Sequence, residues 1–497
     1  MADPQGSEGV GRTSLLLVPI AILSRGAAFG VPLAIAMWFG ISPITDAWYW
    51  ALAFPTFALV LASTSLGTAA TPAMAQVRAQ DPGRLPRFIG GLLTWTALGS
   101  GLLGLAICLA AAPALPVLTE FDPDTRALAA TYLWELLPFM VLTSAGAVLR
   151  VACEVHGHFT AVAVTPLVRA TAVIGSTWLL LDPIGPHALP WGLVIGEVIQ
   201  VAWWGGLLWT RGLRWRPTLH LDPAVRAVGR DLAPILGGEV LVALNLVVDK
   251  AFAAMLPSGS VATLELADRA RVIPQTLLES TLLMVAYATW SNLRAQGRLQ
   301  QARAAIDQSL RWVLALAAPP LAGMFIGRTV LVGLLYERGA FTPEDTIHTA
   351  SALAWYLPGV LPNLLGILAV RAHVVERNLR LVLVLGVVSL LANAAFNLLL
   401  MEPMGLDGLA LATTLNMFLI PGVYLWYLKD RLSLKAGPWA QALGVVAGSV
   451  LVAVAVELGP GAPTRLTDPT LWGAAVVCFA LLGIAARVTR PPAEETR

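Results

Sequence analysis

The sequence predicts an all-α polytopic membrane protein of fourteen transmembrane helices. These form two six-helix lobes related by a pseudo-two-fold along the membrane normal, plus two extra C-terminal helices. Three observations carry this reading. Of 497 residues, 57% are hydrophobic and only 12% charged, with a mean hydropathy of +0.73; soluble domains carry about 25% charged residues. Runs such as GLLGLAICLAAA, RLVLVLGVVSLLANAAFNLLL and LWGAAVVCFALLGIAA approach the ~20 apolar residues that cross a bilayer. The chain also echoes itself. Phe121, Pro123 and Pro138 recur as Phe341, Pro343 and Pro358, and Asp182-Pro183-Ile184-Gly185 as Glu402-Pro403-Met404-Gly405, all 220 positions on. Asp46 and Pro55 recur as Glu265 and Pro274 at 219. Six spans fit in one period, so the copies share an orientation, and a substrate path is expected between the lobes.

Hydropathy sets the spans in order. Span 1 (14–39) opens on LLLVPIAIL and carries Arg25. Ahead of it, Asp3 and Glu8 precede Arg12, a poor start for a cleaved signal. Residues 1–13 are therefore read as a cytoplasmic tail. Span 2 (46–75) begins at Asp46 after Thr45, span 3 (88–112) contains GLLGLAICLAAA, and span 4 (127–150) ends at Arg150. Spans 5 (158–181) and 6 (188–210) carry Arg169 and Glu197, completing an N-lobe over 14–210. After a linker at 211–230, the C-lobe (231–428) holds span 7 (231–256), with Asn245 in LVALNLVV, and span 8 (262–291), with LADRARVIP. Spans 9 (312–335), 10 (345–370), 11 (380–401) and 12 (406–428) complete it. Spans 13 (437–457) and 14 (469–487) occupy the segment 429–487, outside the repeat, and 488–497 is a polar tail.

The loops orient the chain. Those after even-numbered spans hold nineteen Arg or Lys, those after odd-numbered spans only Arg126, Arg338 and Arg465. The positive-inside rule puts both termini in the cytoplasm and the charged stretch LLYERGAFTPEDT outside. Cys108, Cys153 and Cys478 are too scattered for a disulfide framework or a metal site, and the six histidines show no metal spacing. The dinucleotide-like GSGLLG (Gly99 to Gly104) lies inside span 3 with no strand before it, and reads as small residues packing helices. No Walker A sequence is present. The chain is not expected to be an enzyme or to carry a cofactor; a membrane potential or ion gradient is the expected drive.

Ionisable groups inside spans cost roughly 2.5–3.5 kcal/mol each on insertion scales, so they face cavities or partners. Arg25 is a candidate cavity residue, and Asn245 is its counterpart in the second repeat. Asp46 has two readings, a first-turn carboxylate stabilising the helix dipole and a functional acid; Glu265 is its repeat partner. Asp268 and Arg271, three apart, can pair on one helix face. Arg269 then points elsewhere, and an anionic substrate is a candidate partner. Arg169, Glu197, Glu239 and Glu279 read as members of structural pairs. Arg150 with Glu154, and Arg371 with Glu376, form either a cytoplasmic gate or solvated helix ends.

Several of these segments resemble the MviN family, the MurJ-type lipid II flippases of the multidrug/oligosaccharidyl-lipid/polysaccharide exporter superfamily. The clearest is LLYERGAFTPEDT followed by TASALAWYLPG. VVDKAFAAMLPSGSVATLELADRARVIP and the start, LSRGAAF with FGISPITDAWYWALAFP, are similar to two further family signatures. The resemblance implies a cationic cavity, alternating access, and a groove of spans 13 and 14 for a polyprenyl tail. By motif position Arg25, Asp46 and Arg269 match charged positions of the family. Where the family continues to a second Arg and an Asp, Val31 and Pro32 stand here. Where it has a basic pair and a Glu, PTFALVLASTSLGTAATP is neutral. The expected function is flipping of a polyprenyl-pyrophosphate-linked glycan in the bacterial cytoplasmic membrane. The expected partners are that anionic lipid-linked glycan and membrane lipid, with no nucleic acid, and the chain is expected to be a monomer. A drug or organic-cation antiporter and a non-transporting scaffold are the alternatives.

Overall fold

The computed structural model describes residues 23–24, 26–60, 66–278, 284–375, 379–429 and 436–488. The described residues are helical and contain no strand. Helix α1 is Gly26–Phe39. It is followed by α2 Pro43–Val60, α3 Leu66–Gln80, α4 Leu85–Leu118, α5 Pro123–Glu135, α6 Leu137–Val155, α7 Phe159–Ile184, α8 Ala188–Thr210 and α9 Pro223–Ala253. Then come α10 Ser260–Leu278, α11 Met284–Ala295, α12 Leu299–Ile326, α13 Arg328–Tyr336, α14 Pro343–Val375, α15 Leu379–Leu428, α16 Ala436–Leu458 and α17 Pro469–Val488.

Each of the fourteen expected spans overlaps a described helix. Eight helical stretches among the described residues are long and apolar enough to cross a membrane, so the chain is a multi-pass membrane protein. Two of them, Phe159–Thr210 and Arg380–Leu428, are about twice the length one crossing needs. Each is divided at a glycine with positive φ, Gly185 (φ 57°, ψ −130°) and Gly405 (φ 57°, ψ −128°). These are the repeat-related DPIG and EPMG glycines. The repeat seen in sequence is therefore a repeat in backbone conformation too. Two expected spans are broken instead of continuous. Span 4 divides at Leu136, where Pro138 opens α6 and cannot donate into the preceding turn. Span 9 divides at Gly327.

Packing separates the chain into two compact units, one ending at Val261 and the other beginning at Ala262. Helix α9, which opens within the linker 211–230, packs on α2, α3 and α4 and so belongs to the first of these units. Within the first unit, Leu66, Met74, Phe88, Val148, Val151, Trp204 and Leu208 form a buried cluster joining α3, α4, α6 and α8. Helices α7 and α8 touch backbone to side chain. A Cβ on Gly192 would meet Thr177 Oγ1 at 2.0 Å, and one on Gly196 would meet Val173 Cγ2 at 2.3 Å. This small-xxx-small spacing is how membrane helices gain van der Waals contact where no hydrophobic drive exists. In the second unit, α14 packs against α15, and α12 against α14, α16 and α17.

The charged stretch before α14 is a helix start. Thr342 N donates to Asp345 Oδ2 at 2.8 Å and Asp345 N to Thr342 Oγ1 at 3.2 Å, a reciprocal capping box. Thr346 Oγ1 donates to Glu337 Oε2 at 2.8 Å, and Phe341 is buried beneath. The first repeat keeps a simpler form. Asp122 caps α5 by accepting from the amides of Asp124 and Thr125, each at 3.0 Å, and Phe121 is buried.

Candidate functional site

Helix α10 concentrates charge inside an apolar environment. Asp268 Oδ1 accepts from Arg271 Nε at 2.8 Å and Nη2 at 2.5 Å, the expected i,i+3 pair. Arg271 Nη1 also donates to Gln275 Oε1 at 3.2 Å, and the guanidinium lies 5.7 Å from the Tyr356 ring centroid. With its side chain only 9% exposed, Arg271 is a packed structural cation. Arg269, for which an anionic substrate was the candidate partner, has a carboxylate partner on its own helix. Its Nε donates to Glu265 Oε1 at 2.7 Å, one turn back. The i,i+4 spacing permits this pair just as i,i+3 permits the other. The Glu265 carboxylate is mostly buried while 44% of the Arg269 side chain remains exposed. A partly exposed guanidinium steered by a carboxylate has the chemistry to meet a phosphate oxygen.

The other candidates fall elsewhere. Asp46 is buried in the first turn of α2 and accepts a hydrogen bond from the Gly259 amide, within the first unit. Thr45 beside it donates to the carbonyls of Gly40 at 3.1 Å and Ser42 at 2.9 Å. Asp46 therefore ties the segment before α10 to the start of α2. Asn245 donates from Nδ2 to Leu241 O at 3.1 Å, and its buried Oδ1 accepts no hydrogen bond among the described residues. Arg25 and Glu376 lie outside the described residues, as do Glu279 and the side chain of Glu239. Arg150 Nε stands 3.7 Å from Glu154 Oε1 at the end of α6, both side chains about one-third exposed. Arg371 is half-buried near the end of α14.

Arg169 and Glu197 form the expected structural pair. Nε to Oε2 is 2.8 Å, with Gln200 Nε2 donating to Glu197 Oε1 at 3.3 Å. Sequence reasoning missed several buried polar contacts. Asp307 accepts from Trp439 Nε1 at 2.7 Å and from Arg311 Nε at 3.1 Å, fastening α16 to α12. Asp407 Oδ2 accepts from Ser351 at 2.8 Å, joining α15 to α14. On α15, Asn393 and Asn397 are buried, and Asn416 Nδ2 donates to Ser389 Oγ at 2.9 Å. The i,i+4 spacing of Asn393 and Asn397 was the available signal, passed over because neither residue is charged.

An apolar cavity of about 400 Å³ lies in the second unit between α12, α13 and α17, walled by Pro319, Gly323, Val330, Leu471, Ala474 and Phe479. Its wall is formed by span 9 (α12 and α13) and span 14 (α17). Near the Arg-rich helix ends, Arg84 clasps Asp222 with both Nε (2.8 Å) and Nη2 (2.5 Å). The bond from Arg84 holds the Asp222 carboxyl below the usual carboxylate range.

The family model described as Lipid II flippase MurJ matches residues 35–469 of this chain. The "Probable lipid II flippase MurJ" of Bdellovibrio bacteriovorus is 26% identical over 435 residues, covering 84% of this chain and 82% of that one. The "Lipid II flippase MurJ" of Burkholderia cenocepacia is 24% identical over 371 residues, covering 70% of each. Among solved structures, the inward closed conformation of lipid II flippase MurJ superposes with a TM-score of 0.77 at 19% identity, over 95% of this chain and 98% of that one. An inward-facing multidrug resistance MATE family transporter of the MOP superfamily gives a TM-score of 0.66 at 14% identity, over 83% and 94%. The fold is that of these transporters, and with a family match spanning most of its length the chain belongs to the lipid II flippase MurJ family.

Proposed function

We propose that this protein moves a polyprenyl-pyrophosphate-linked glycan, lipid II or a related polysaccharide precursor, across a bacterial cytoplasmic membrane by alternating access. The observation that carries the reading is the family match over residues 35–469. The chemistry of α10 supports it. Arg269 is a permanently charged, half-exposed donor inside an apolar chain, already steered by Glu265. In this reading Arg269 meets the pyrophosphate, with Glu265 and Asp268 on the same helix, and the sequence offers Arg25, Asp46 and Asn245 as further candidates. The excess of Arg and Lys after even-numbered spans supports cytoplasmic termini.

The headgroup must leave water, so positive charge has to offset its desolvation. Outward movement of its negative charge is favoured by an inside-negative potential, by ~2.3 kcal/mol per charge per 100 mV. With Val31 and the uncharged stretch after Pro55, this chain has fewer cations for that task than the family pattern, which makes the potential the more important drive.

The test is rescue of cells depleted of their own lipid II flippase, paired with translocation of a labelled lipid-linked glycan in reconstituted vesicles. Rescue and translocation are the expected results. Neither, from a protein shown to be inserted and folded, sinks the proposal; efflux of organic cations in its place would establish the antiporter reading.

A further inference from the structure

A second cavity, of about 640 Å³, opens among α3, α4, α6 and α9 of the first unit, within the ~300–1,000 Å³ typical of ligand sites. Its wall is mostly hydrocarbon: Leu92, Trp95, Leu103, Val228, Leu232 and Leu236. Thr96, Ser100 and Ser144 also line it, but each hydroxyl donates to a carbonyl on its own helix, Leu92 at 2.7 Å, Ala97 at 3.2 Å and Met140 at 3.1 Å. Those donors are already used, so the interior suits a chain of methylenes. Trp95 is exposed, as are Leu98 and Leu102 farther along α4, so the cavity is continuous with an apolar outer surface.

One part of the lining is different. Arg226 and Arg230, one turn apart on α9, border the cavity, and both are exposed. Asp231 takes part of the Arg230 charge at 3.5 Å, whereas Arg226 has no ion-pair partner among the described residues. An apolar slot edged by two guanidinium groups is complementary to an amphiphile with an anionic head. Basic pockets between membrane helices bind anionic headgroups through this combination.

We propose that this cavity is a site for an anionic phospholipid of the surrounding bilayer, with one acyl chain in the slot and the phosphate at Arg226 and Arg230. The site is separate from the charged cluster on α10 and does not depend on which substrate the protein carries. Gly99 gives a probe of the slot: it lines the cavity, and a Cβ added there meets nothing within 4 Å, so a side chain at this position takes up space in the slot.

Native mass spectrometry of the full-length protein tests this after exchange with equal amounts of phosphatidylglycerol and phosphatidylcholine of matched chains. The wild type is expected to retain phosphatidylglycerol preferentially. Arg226→Gln with Arg230→Gln should reduce that preference at least about fivefold, the effect of roughly one surface arginine on an anionic lipid. Gly99→Leu should lower retention of the same lipid with both arginines intact, and thermal unfolding checks that both variants are folded. Equal retention of the two lipids by the wild type overturns the site, as does unchanged retention in either folded variant. Displacement of phosphatidylglycerol by added polyprenyl phosphate would also overturn it, assigning the slot to a polyprenyl chain.

Discussion

Arg269 donates through Nε to Glu265 Oε1 at 2.7 Å and still leaves 44% of its side chain exposed. Arg271, two residues on, is 9% exposed and enclosed by Asp268, Gln275 and the Tyr356 ring. Neighbouring cations on one helix thus differ in environment, one partly exposed beside a carboxylate and one enclosed in the protein.

That contrast predicts different losses. Arg269→Ala combined with Glu265→Gln, so that no mostly buried carboxylate is stranded, should lower vesicle translocation by about tenfold or more, the value of one charge-assisted hydrogen bond at ~1.5–3 kcal/mol, with little change in unfolding temperature. Arg271→Ala should instead destabilise the fold, because it strands the Asp268 carboxylate. Translocation assays alongside thermal unfolding separate the two. Near-normal transport by Arg269→Ala with Glu265→Gln would show that this arginine is structural.

The Arg169–Glu197 pair predicts a recovery on double substitution. Glu197→Ala leaves a guanidinium with no carboxylate where the Glu197 side chain is only 2% exposed. Removing one member of a buried pair costs about 3–5 kcal/mol; Arg169 is 28% exposed, so roughly 1–3 kcal/mol is expected here. Arg169→Met with Glu197→Leu should regain most of the loss. A double variant no more stable than Glu197→Ala would contradict the pairing.

Gly185→Ala and Gly405→Ala should behave alike. Both glycines have φ of 57°, and a Cβ at either meets nothing within 4 Å, so the cost is backbone strain alone, about 1–3 kcal/mol. Gly192→Val should cost more, since its Cβ would lie 2.0 Å from Thr177 Oγ1. Unfolding midpoints of the three variants in one detergent rank these effects. A harmless Gly192→Val would mean that α7 and α8 are not in close contact.

Acid should loosen the Arg84–Asp222 clasp. The Asp222 carboxyl is held below its ordinary range by the hydrogen bond from Arg84. A carboxyl depressed in the folded state stabilises the protein fully above its unfolded value, near 3.9, and loses that contribution as pH falls through the folded value. Arg84→Gln should therefore flatten the low-pH limb of a plot of unfolding midpoint against pH and leave its slope above about pH 5 unchanged. Identical low-pH limbs in the two proteins would exclude the linkage.

The spans, the all-helical class and the repeat were legible because each rests on local or periodic information. About 20 apolar residues are needed to cross a bilayer wherever they lie, and DPIG and EPMG fold to the same backbone turn because a glycine occupies the same place in both. The Asp268–Arg271 pair was legible for the same reason, since helix geometry alone brings i and i+3 together. The Arg269–Glu265 pair obeys an equally local rule, the i,i+4 spacing on one helix face.

Tertiary structure decided what spacing along the chain could not. The Asp46 carboxylate meets the amide of Gly259, far away in sequence, and the Asp307 carboxylate finds the Trp439 indole on a helix beyond the repeat. The compact unit that ends at Val261 includes α9 because that helix packs on α2, α3 and α4, contacts that no local pattern along the chain encodes. Hydropathy says that a segment enters the membrane and is silent on its neighbours, because lipid tails and leucine side chains are equally apolar to it. Which helices touch is set by small residues, such as Gly192 and Gly196, that let one backbone approach another, and by the few buried polar groups that must be satisfied once they meet.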